Sequence, residues 1–259
     1  AYKHVPMLEK NPWQAVFNNI IGSRVAMEMA VRHQVSRFVL VSTDKAVRPT
    51  NVMGTSKRVT ELIMQSQAGN GTHFMAVRFG NVVGSSGSVI PLFRRQIEKG
   101  GPVTVTHPEI NRFFMTIPEA AQMILQAGTM GKTNEIFILR MGTPVKIADM
   151  ARDLIRLSGK EPDVDIKIVY TGLREGEKLY EELITAGEDI LPTEQKKVMV
   201  LRSNGYFNGA NSREEGKKNL YAGIEELRKL AEDHDAAGIK NKLHKIVPEY
   251  IPQENDSVL

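Results

Sequence analysis

Arg37-Phe38-Val39-Leu40-Val41-Ser42-Thr43-Asp44-Lys45, followed eight residues after Lys45 by Met53-Gly54-Thr55-Ser56-Lys57, decides how this chain is read. Arg37 to Val41 is rich in β-formers and predicts a buried parallel strand, which the polar Ser-Thr-Asp-Lys group stops. Beyond Pro49, Thr50 to Gln67 predicts a helix that ends at Gly69-Asn70-Gly71. An acid, two amines and the hydroxyls between them therefore gather at the carboxyl end of one strand and the start of the next helix. In an open α/β sheet this edge is where ligands bind. Met53 and Lys57, four apart, point to one side of the helix.

Reading outward gives a repeated pattern. Upstream, Pro12 to Gln34 has the mixed three- and four-residue apolar spacing of a helix. Downstream, Thr72 to Arg78 is strand-like, and Phe79-Gly80-Asn81-Val82-Val83-Gly84 is the loop beyond it. This alternation predicts an α/β fold, a doubly wound parallel Rossmann-type sheet, joined by a smaller mixed α/β lobe. Helices are predicted at Val89–Glu98, Pro118–Ala127 and Ile147–Leu157, and short strands at Val103–Val105, Glu135–Leu139, Ile166–Val169 and Lys197–Leu201. The division expected is residues 1–88 as a partial nucleotide-binding core, 89–201 as a lobe with some return to the core, and 202–259 as a charge-rich helical tail. Leu220 to Ala231 is the helical stretch of that tail, with packing or a subunit contact as its expected role.

The bulk properties narrow the classes of function. The chain has 259 residues, 41% hydrophobic and 25% charged, which suits a globular protein with a sizeable core. Cysteine is absent, which excludes disulfides and thiolate metal sites. The six histidines show no i,i+4 spacing, so no metal is expected. A net charge of +4 and 6% aromatic residues argue against nucleic-acid binding. No apolar run approaches the ~20 residues of a membrane span, and no signal peptide is visible. A dinucleotide fold also needs a glycine-rich turn after its first strand, whereas Gly80-x-x-x-Gly84 and Gly84-x-x-Gly87 follow a later one. The chain accordingly reads as the C-terminal part of a longer enzyme, missing the first strands of its sheet.

Together these motifs resemble the extended short-chain dehydrogenase/reductase family, whose active-site helix carries Tyr-x-x-x-Lys. Met53 stands here at the Tyr position and Lys57 is kept. Thr43-Asp44-Lys45 ahead of Met53-x-x-x-Lys57 is similar to the polysaccharide-biosynthesis branch of nucleotide-sugar 4,6-dehydratases, over Ala1 to about Leu201. The resemblance implies a nicotinamide cofactor, NAD before NADP. It implies a UDP-N-acetyl-hexosamine substrate, UDP-N-acetylglucosamine first, converted to a 4-keto-6-deoxy sugar for surface glycans. It also implies a homo-oligomer at the cytoplasmic side of a bacterial membrane, anchored through a region outside this sequence.

The same resemblance assigns roles. Asp44 is the general acid and Lys45 the base, which demands a raised carboxyl and a lowered amine; a surface pair capping a strand end is the plain alternative. Lys57 and Ser42 belong to the cofactor side, Lys57 holding the nicotinamide ribose. Phe79, Gly80 and Asn81 lie where backbone meets the nicotinamide and the sugar. The thioether of Met53 cannot take up a proton as a phenolate does, so either the chain is a non-catalytic relative or the C4 hydroxyl proton leaves through Thr43, a water or Asp44, and the resemblance favours the second. Arg112 and Arg174 are candidates for the diphosphate, Glu177 for the uridine, and Lys3 for the cofactor and sugar. Asn19 steadies the site, with a surface amide as the alternative. Two rivals remain open: an epimerase of the same fold, which has no use for an acid–base pair at C5 and C6, and a non-catalytic remnant. The isolated chain is expected to have negligible activity.

Overall fold

A computed structural model describes residues 1–67, 69–182, 190–195, 197–201 and 210–252. In chain order the elements are helices α1 (Val5–Lys10) and α2 (Pro12–Gln14), a π-helical turn (Ala15–Ile21), α3 (Gly22–Arg32), β1 (Arg37–Val41), a 3-10 turn (Asp44–Ala46), α4 (Val52–Ser66), β2 (His73–Arg78), β3 (Asn81–Val82), α5 (Val89–Glu98), β4 (Val103–Val105), β5 (Asn111–Arg112), β6 (Phe114–Met115), α6 (Ile117–Met130), β7 (Glu135–Leu139), β8 (Val145–Lys146), α7 (Ile147–Leu157), β9 (Ile168–Tyr170), β10 (Ile190–Pro192), β11 (Val198–Leu201), α8 (Ala210–Glu232) and α9 (Ala236–Ile246).

The main sheet runs β1-β2-β7-β11-β10. β1, β2 and β7 are parallel, and β11 and β10 close it antiparallel. Alternation along a strand sends successive side chains to opposite faces. On β2, Phe74 and Ala76 join a core built with α4, α8 and α9, while Met75 and Val77 meet α6 residues Met123 and Ala127 on the other face. Helices therefore cover both faces of a mostly parallel sheet, the doubly wound arrangement. β1 is the parallel strand expected, paired with β2 among the described residues; within this chain Leu40 is buried and Val41 exposed, where burial of both was expected.

A second core forms where α5 and α7 pack against the parallel pair β4–β9, around Phe93, Ile97, Val103, Ile110, Ala151 and Ile155. Three-residue strands hold this lobe because the amphipathic faces of α5 and α7 bury what the strands cannot. Two small pairs, β3–β6 and β5–β8, link the lobe to the carboxyl edge of the main sheet. The main sheet draws β10 and β11 from after the lobe, so the chain leaves the core at Val82 and returns. Residues 183–189 and 202–209 lie outside the described set.

The C-terminal helices are part of the first core. Leu220, Ile224, Leu227 and Ala231 of α8 recur at helical spacing and are buried with Ile239, Leu243 and Ile246 of α9. α9 was not among the helices expected from sequence. Its start signal is ordinary: Asp235 accepts a hydrogen bond from the Gly238 amide.

Candidate active site

The sequence brings the site together in two steps. β1 ends at Val41 and the chain turns through Asp44–Ala46, with the Thr43 hydroxyl accepting from the Lys45 amide. Asn51 then caps α4 by accepting from the Gly54 amide at 2.7 Å. The Glu9 carboxylate takes the Val52 amide at 2.6 Å, a negative charge at a helix N-terminus. Gly54 faces the turn so closely that a Cβ there would lie 2.1 Å from the Lys45 carbonyl oxygen. The bare glycine lets the helix that carries Met53 and Lys57 abut the turn that carries Asp44 and Lys45.

These residues open on a cavity of about 590 Å³ at the carboxyl edge of the sheet, between the main core and the lobe. Lys3, Ser42, Thr43, Lys45, Met53, Lys57, Phe79, Gly80, Asn81, Arg112, Arg174 and Glu177 all border it. Asp44 stands behind this wall. Its side chain is 0% exposed, one oxygen receives Lys45 Nζ at 3.0 Å and the Thr43 hydroxyl at 2.9 Å, and the other has no hydrogen-bond partner among the described residues. Gly80 passes beside that second oxygen, where a Cβ would approach to 3.1 Å. Close backbone approach is thus the need at Gly80.

The sequence reading did not include Glu181. Its side chain, 3% exposed, sets one oxygen 3.2 Å from Lys45 Nζ and 3.6 Å from Arg112 Nε. Two carboxylates therefore share one ammonium, and their surroundings differ. Burial raises Asp44, and the neighbouring Glu181 charge raises it further against the pull of Lys45. Burial also works on Glu181, but Lys45 and Arg112 overcome it and hold its carboxyl below the usual range. The two carboxyls are thereby driven apart, Asp44 upward and Glu181 downward, the pattern that separates a proton donor from a lasting anion in paired carboxyls. Lys45 corrects an expectation. Burial alone would lower its amine, yet the Asp44 and Glu181 charges outweigh burial and raise it, so in this geometry Lys45 is an ammonium.

Lys57 behaves oppositely, since burial lowers it and Glu61 offsets this in part. Its ammonium borders the cavity and makes no hydrogen bond or ion pair with a described residue. A buried donor left open toward a cavity fits the hydroxyls of a ribose, so the residues present suit a nicotinamide nucleotide at this wall. Behind it, Glu61 takes Arg78 through both carboxylate oxygens at 2.8 and 2.7 Å, and accepts from Ser42 at 2.6 Å and Arg58 at 3.1 Å. Ser42 is thereby committed to this buried network.

The remaining candidates divide. Every nitrogen of Arg112 faces a protein oxygen: Asn111 and Leu179 carbonyls at 2.7 and 3.3 Å, the Lys178 carbonyl at 2.8 Å, and the Glu177 and Glu181 carboxylates. Glu177 is paired with Arg112 and accepts from the Arg174 amide, while the Arg174 side chain is exposed at the rim. Asn81 donates to the Phe113 carbonyl. Lys3 donates to the Ser85 hydroxyl at 3.0 Å. Asn19 is wholly buried in the π-helical turn, a distortion often found at functional sites; it exchanges two hydrogen bonds with the Tyr2 backbone and donates to Ser56 on α4. Lys178, also missed from sequence, borders the cavity and donates to the Val47 carbonyl at 3.0 Å. No group of three metal-binding side chains occurs among the described residues, and no described helix is long and apolar enough to cross a membrane.

Comparison with known proteins agrees with this layout. The family model described as polysaccharide biosynthesis protein matches residues 1–203. The capsular polysaccharide biosynthesis protein CapD of Staphylococcus aureus is 58% identical over 190 residues, which are 73% of this chain and 32% of CapD. The probable polysaccharide biosynthesis protein EpsC of Bacillus subtilis is 55% identical over 189 residues, 73% of this chain and 31% of EpsC. The chain thus spans about a third of the length of these two relatives. A UDP-glucose 4-epimerase of Rickettsia canadensis is 37% identical over 198 residues, 75% of this chain and 56% of that protein. Among solved structures, Pen from Bacillus thuringiensis has a TM-score of 0.72 at 33% identity, over 86% of this chain and 73% of that one. DesIV, a dTDP-glucose 4,6-dehydratase from Streptomyces venezuelae solved with NAD bound, shares the fold with a TM-score of 0.63 at 20% identity, over 71% and 62%. A doubly wound α/β sheet, the Asp44-Lys45 turn against the Met53–Lys57 helix, and a family match over most of the length make this chain a member of the polysaccharide biosynthesis protein family, within the extended short-chain dehydrogenase/reductase fold.

Proposed function

We propose that the full-length protein is a nucleotide-sugar 4,6-dehydratase that uses NAD to convert a UDP-N-acetyl-hexosamine, UDP-N-acetylglucosamine first among them, into a 4-keto-6-deoxy sugar for surface-polysaccharide synthesis. The observation that carries this reading is the Asp44–Lys45 pair, the acid buried and the amine at the wall of a cavity that Lys57 also borders. The cofactor's contribution is nicotinamide chemistry, a hydride removed from C4 and returned at C6. Lys57 binds the ribose, in keeping with its open ammonium.

The acid–base work falls to the turn. Dehydration needs Asp44 protonated and Lys45 neutral, and that pair differs from the ion pair by one proton moved across a 3.0 Å hydrogen bond. Lys45 takes the C5 proton and later gives it back. Asp44 protonates the C6 hydroxyl as it leaves, so the sugar loses one water. The C4 hydroxyl proton leaves first and passes through Thr43, whose hydroxyl donates to the Asp44 carboxylate, so Asp44 receives at the oxidation step the proton it later gives to the C6 hydroxyl. This relay removes the need for a phenol and accounts for a thioether at Met53.

The likeness to the Rickettsia 4-epimerase favours a second reading, in which C4 is oxidised and reduced without elimination. One assay separates the two. Full-length protein incubated with UDP-N-acetylglucosamine should yield a product lighter by one water in mass spectrometry. A product of unchanged mass with inverted C4 supports the epimerase, and no conversion of any UDP-N-acetyl-hexosamine sinks both.

A further inference from the structure

Glu181 enters the site from outside the motifs that define it. It follows the Gly172–Leu179 segment of the lobe, and Lys178 pins that segment by donating to the Val47 carbonyl, two residues beyond Lys45. One Glu181 oxygen lies 3.2 Å from Lys45 Nζ, and the other is buried with no hydrogen-bond partner among the described residues. Three backbone carbonyls and Glu177 hold the two terminal nitrogens of Arg112, so Glu181 meets only its Nε, at 3.6 Å, a longer approach than the 3.2 Å to Lys45 Nζ. A half-satisfied buried carboxylate beside a candidate base is costly as mere scaffolding.

We propose that Glu181 is a positioning residue for the dehydration: it orients the Lys45 amine toward the sugar C5 and stabilises the ammonium formed when Lys45 takes the C5 proton. This rests on the dehydratase reading above. In the step concerned, the C5–H bond breaks and its proton goes to Lys45. The electron pair left at C5 is held by the C4 ketone and then expels hydroxide from C6, which departs as water with the proton of Asp44. Charge moves from a neutral acid and a neutral amine to a carboxylate and an ammonium. Glu181 is charged throughout and meets the positive charge where it develops, as a fixed dipole or ion does in other active sites. The Asp44–Lys45 ion pair of this structure has the charge distribution found after that step.

The pH consequence has a definite sign. Asp44, Glu181 and Arg112 face Lys45; Lys45, Arg112 and Lys178 face Glu181; Lys45, Glu181 and the Thr43 hydroxyl face Asp44. Glu181 raises Lys45, so removing its charge lets Lys45 lose its proton at lower pH.

The test uses Glu181→Gln and Glu181→Asp in the full-length protein. For Glu181→Gln, kcat should fall about tenfold or more with KM changed less than about threefold, because the charge acts on the reacting state. The rise of kcat with pH should move down by about one pH unit, and Glu181→Asp should restore part of the plateau. A second readout needs no turnover: competitive acetylation of Lys45 in the substrate-free protein, read by mass spectrometry. Glu181→Gln should raise its labelling about tenfold at fixed pH below the amine's pKa. An active wild-type enzyme whose Lys45 labelling and pH profile ignore Glu181→Gln overturns the proposal alone. A loss of kcat with an unmoved pH profile makes the role purely structural and overturns it too. Shifted labelling in a protein that dehydrates no UDP-N-acetyl-hexosamine overturns the dehydratase reading, and the role at C5 falls with it.

Discussion

Gly54 shows how a single residue sets the geometry of the site. The atoms that an added Cβ would strike are the carbonyl oxygen and carbon of Lys45, at 2.1 and 2.9 Å, and backbone cannot rotate away as a side chain can. Gly54→Ala should therefore push α4 off the Asp44–Ala46 turn. We expect a loss of about 1–3 kcal/mol in urea unfolding and a larger loss of turnover, since Lys57 and Lys45 move apart; unchanged stability and turnover would refute the contact. Thr43, Asp44, Lys45, Met53 and Lys57 were legible in sequence because strand, turn and helix fix them within a few residues of one another. Glu181 was not. It lies 136 positions beyond Lys45 in the chain, and no local periodicity ties the two together. The raised Lys45 amine was missed for the same reason, because the second carboxylate that raises it was out of view.

At the scale of the element, α4 is anchored by a charge pair as well as by apolar packing. Glu61 is buried between Arg78 of β2 and Arg58, with Ser42 as a third donor. Burial would raise its carboxyl, but the Arg78 charge and hydrogen bonds, with Arg58 and Ser42, lower it to about 2 from the ordinary 4.5. A depressed carboxyl contributes stability that is fully present above its unfolded value and is lost as pH falls through its folded one. The window is therefore from about pH 4.5 down to about 2, and the contribution is of order 3 kcal/mol. Glu61→Gln should cost about 3–5 kcal/mol at neutral pH, by leaving Arg78 with a weaker partner, and should flatten the acid limb of stability in that window. An unaltered acid limb would refute the pairing. Element types were well read from sequence, since Val89–Glu98, Val103–Val105, Glu135–Leu139 and Ile147–Leu157 have the expected bounds. α9 was overlooked because charged residues dilute its apolar stripe of Ile239, Leu243 and Ile246.

For the whole molecule, the C-terminal helices are core and not appendage. Six large aliphatic side chains of α8 and α9 are buried against the sheet-covering helices. At roughly 1.5–3 kcal/mol each, their removal withdraws about 10 kcal/mol or more, comparable to the entire stability of a typical domain. A chain stopping at Leu201 should lose cooperative thermal unfolding, as read by circular dichroism; a sharp transition at an unchanged temperature would contradict this. α9 also ties distant parts together, because Lys240 bridges Glu9 at 2.8 Å and Glu175 at 3.0 Å. Glu9 seats the first turn of α4, and Glu175 adjoins Arg174 at the cavity rim. That the tail packs at all follows from its apolar spacing; where it packs depends on surfaces made by residues two hundred positions earlier.

Asn19 imitates a strand partner, offering one carbonyl and one N–H to the main chain of Tyr2 while its second N–H reads a serine on the neighbouring helix. Recognition of this kind is blind to the side chain it holds, and the Tyr2 ring projects to solvent. Replacing the Tyr2 side chain should accordingly leave both main-chain bonds, and the placing of Lys3 beside them, intact. Position 19 has no such latitude: even the one-atom exchange to aspartate would delete both donors and strand a charge in a dry interior.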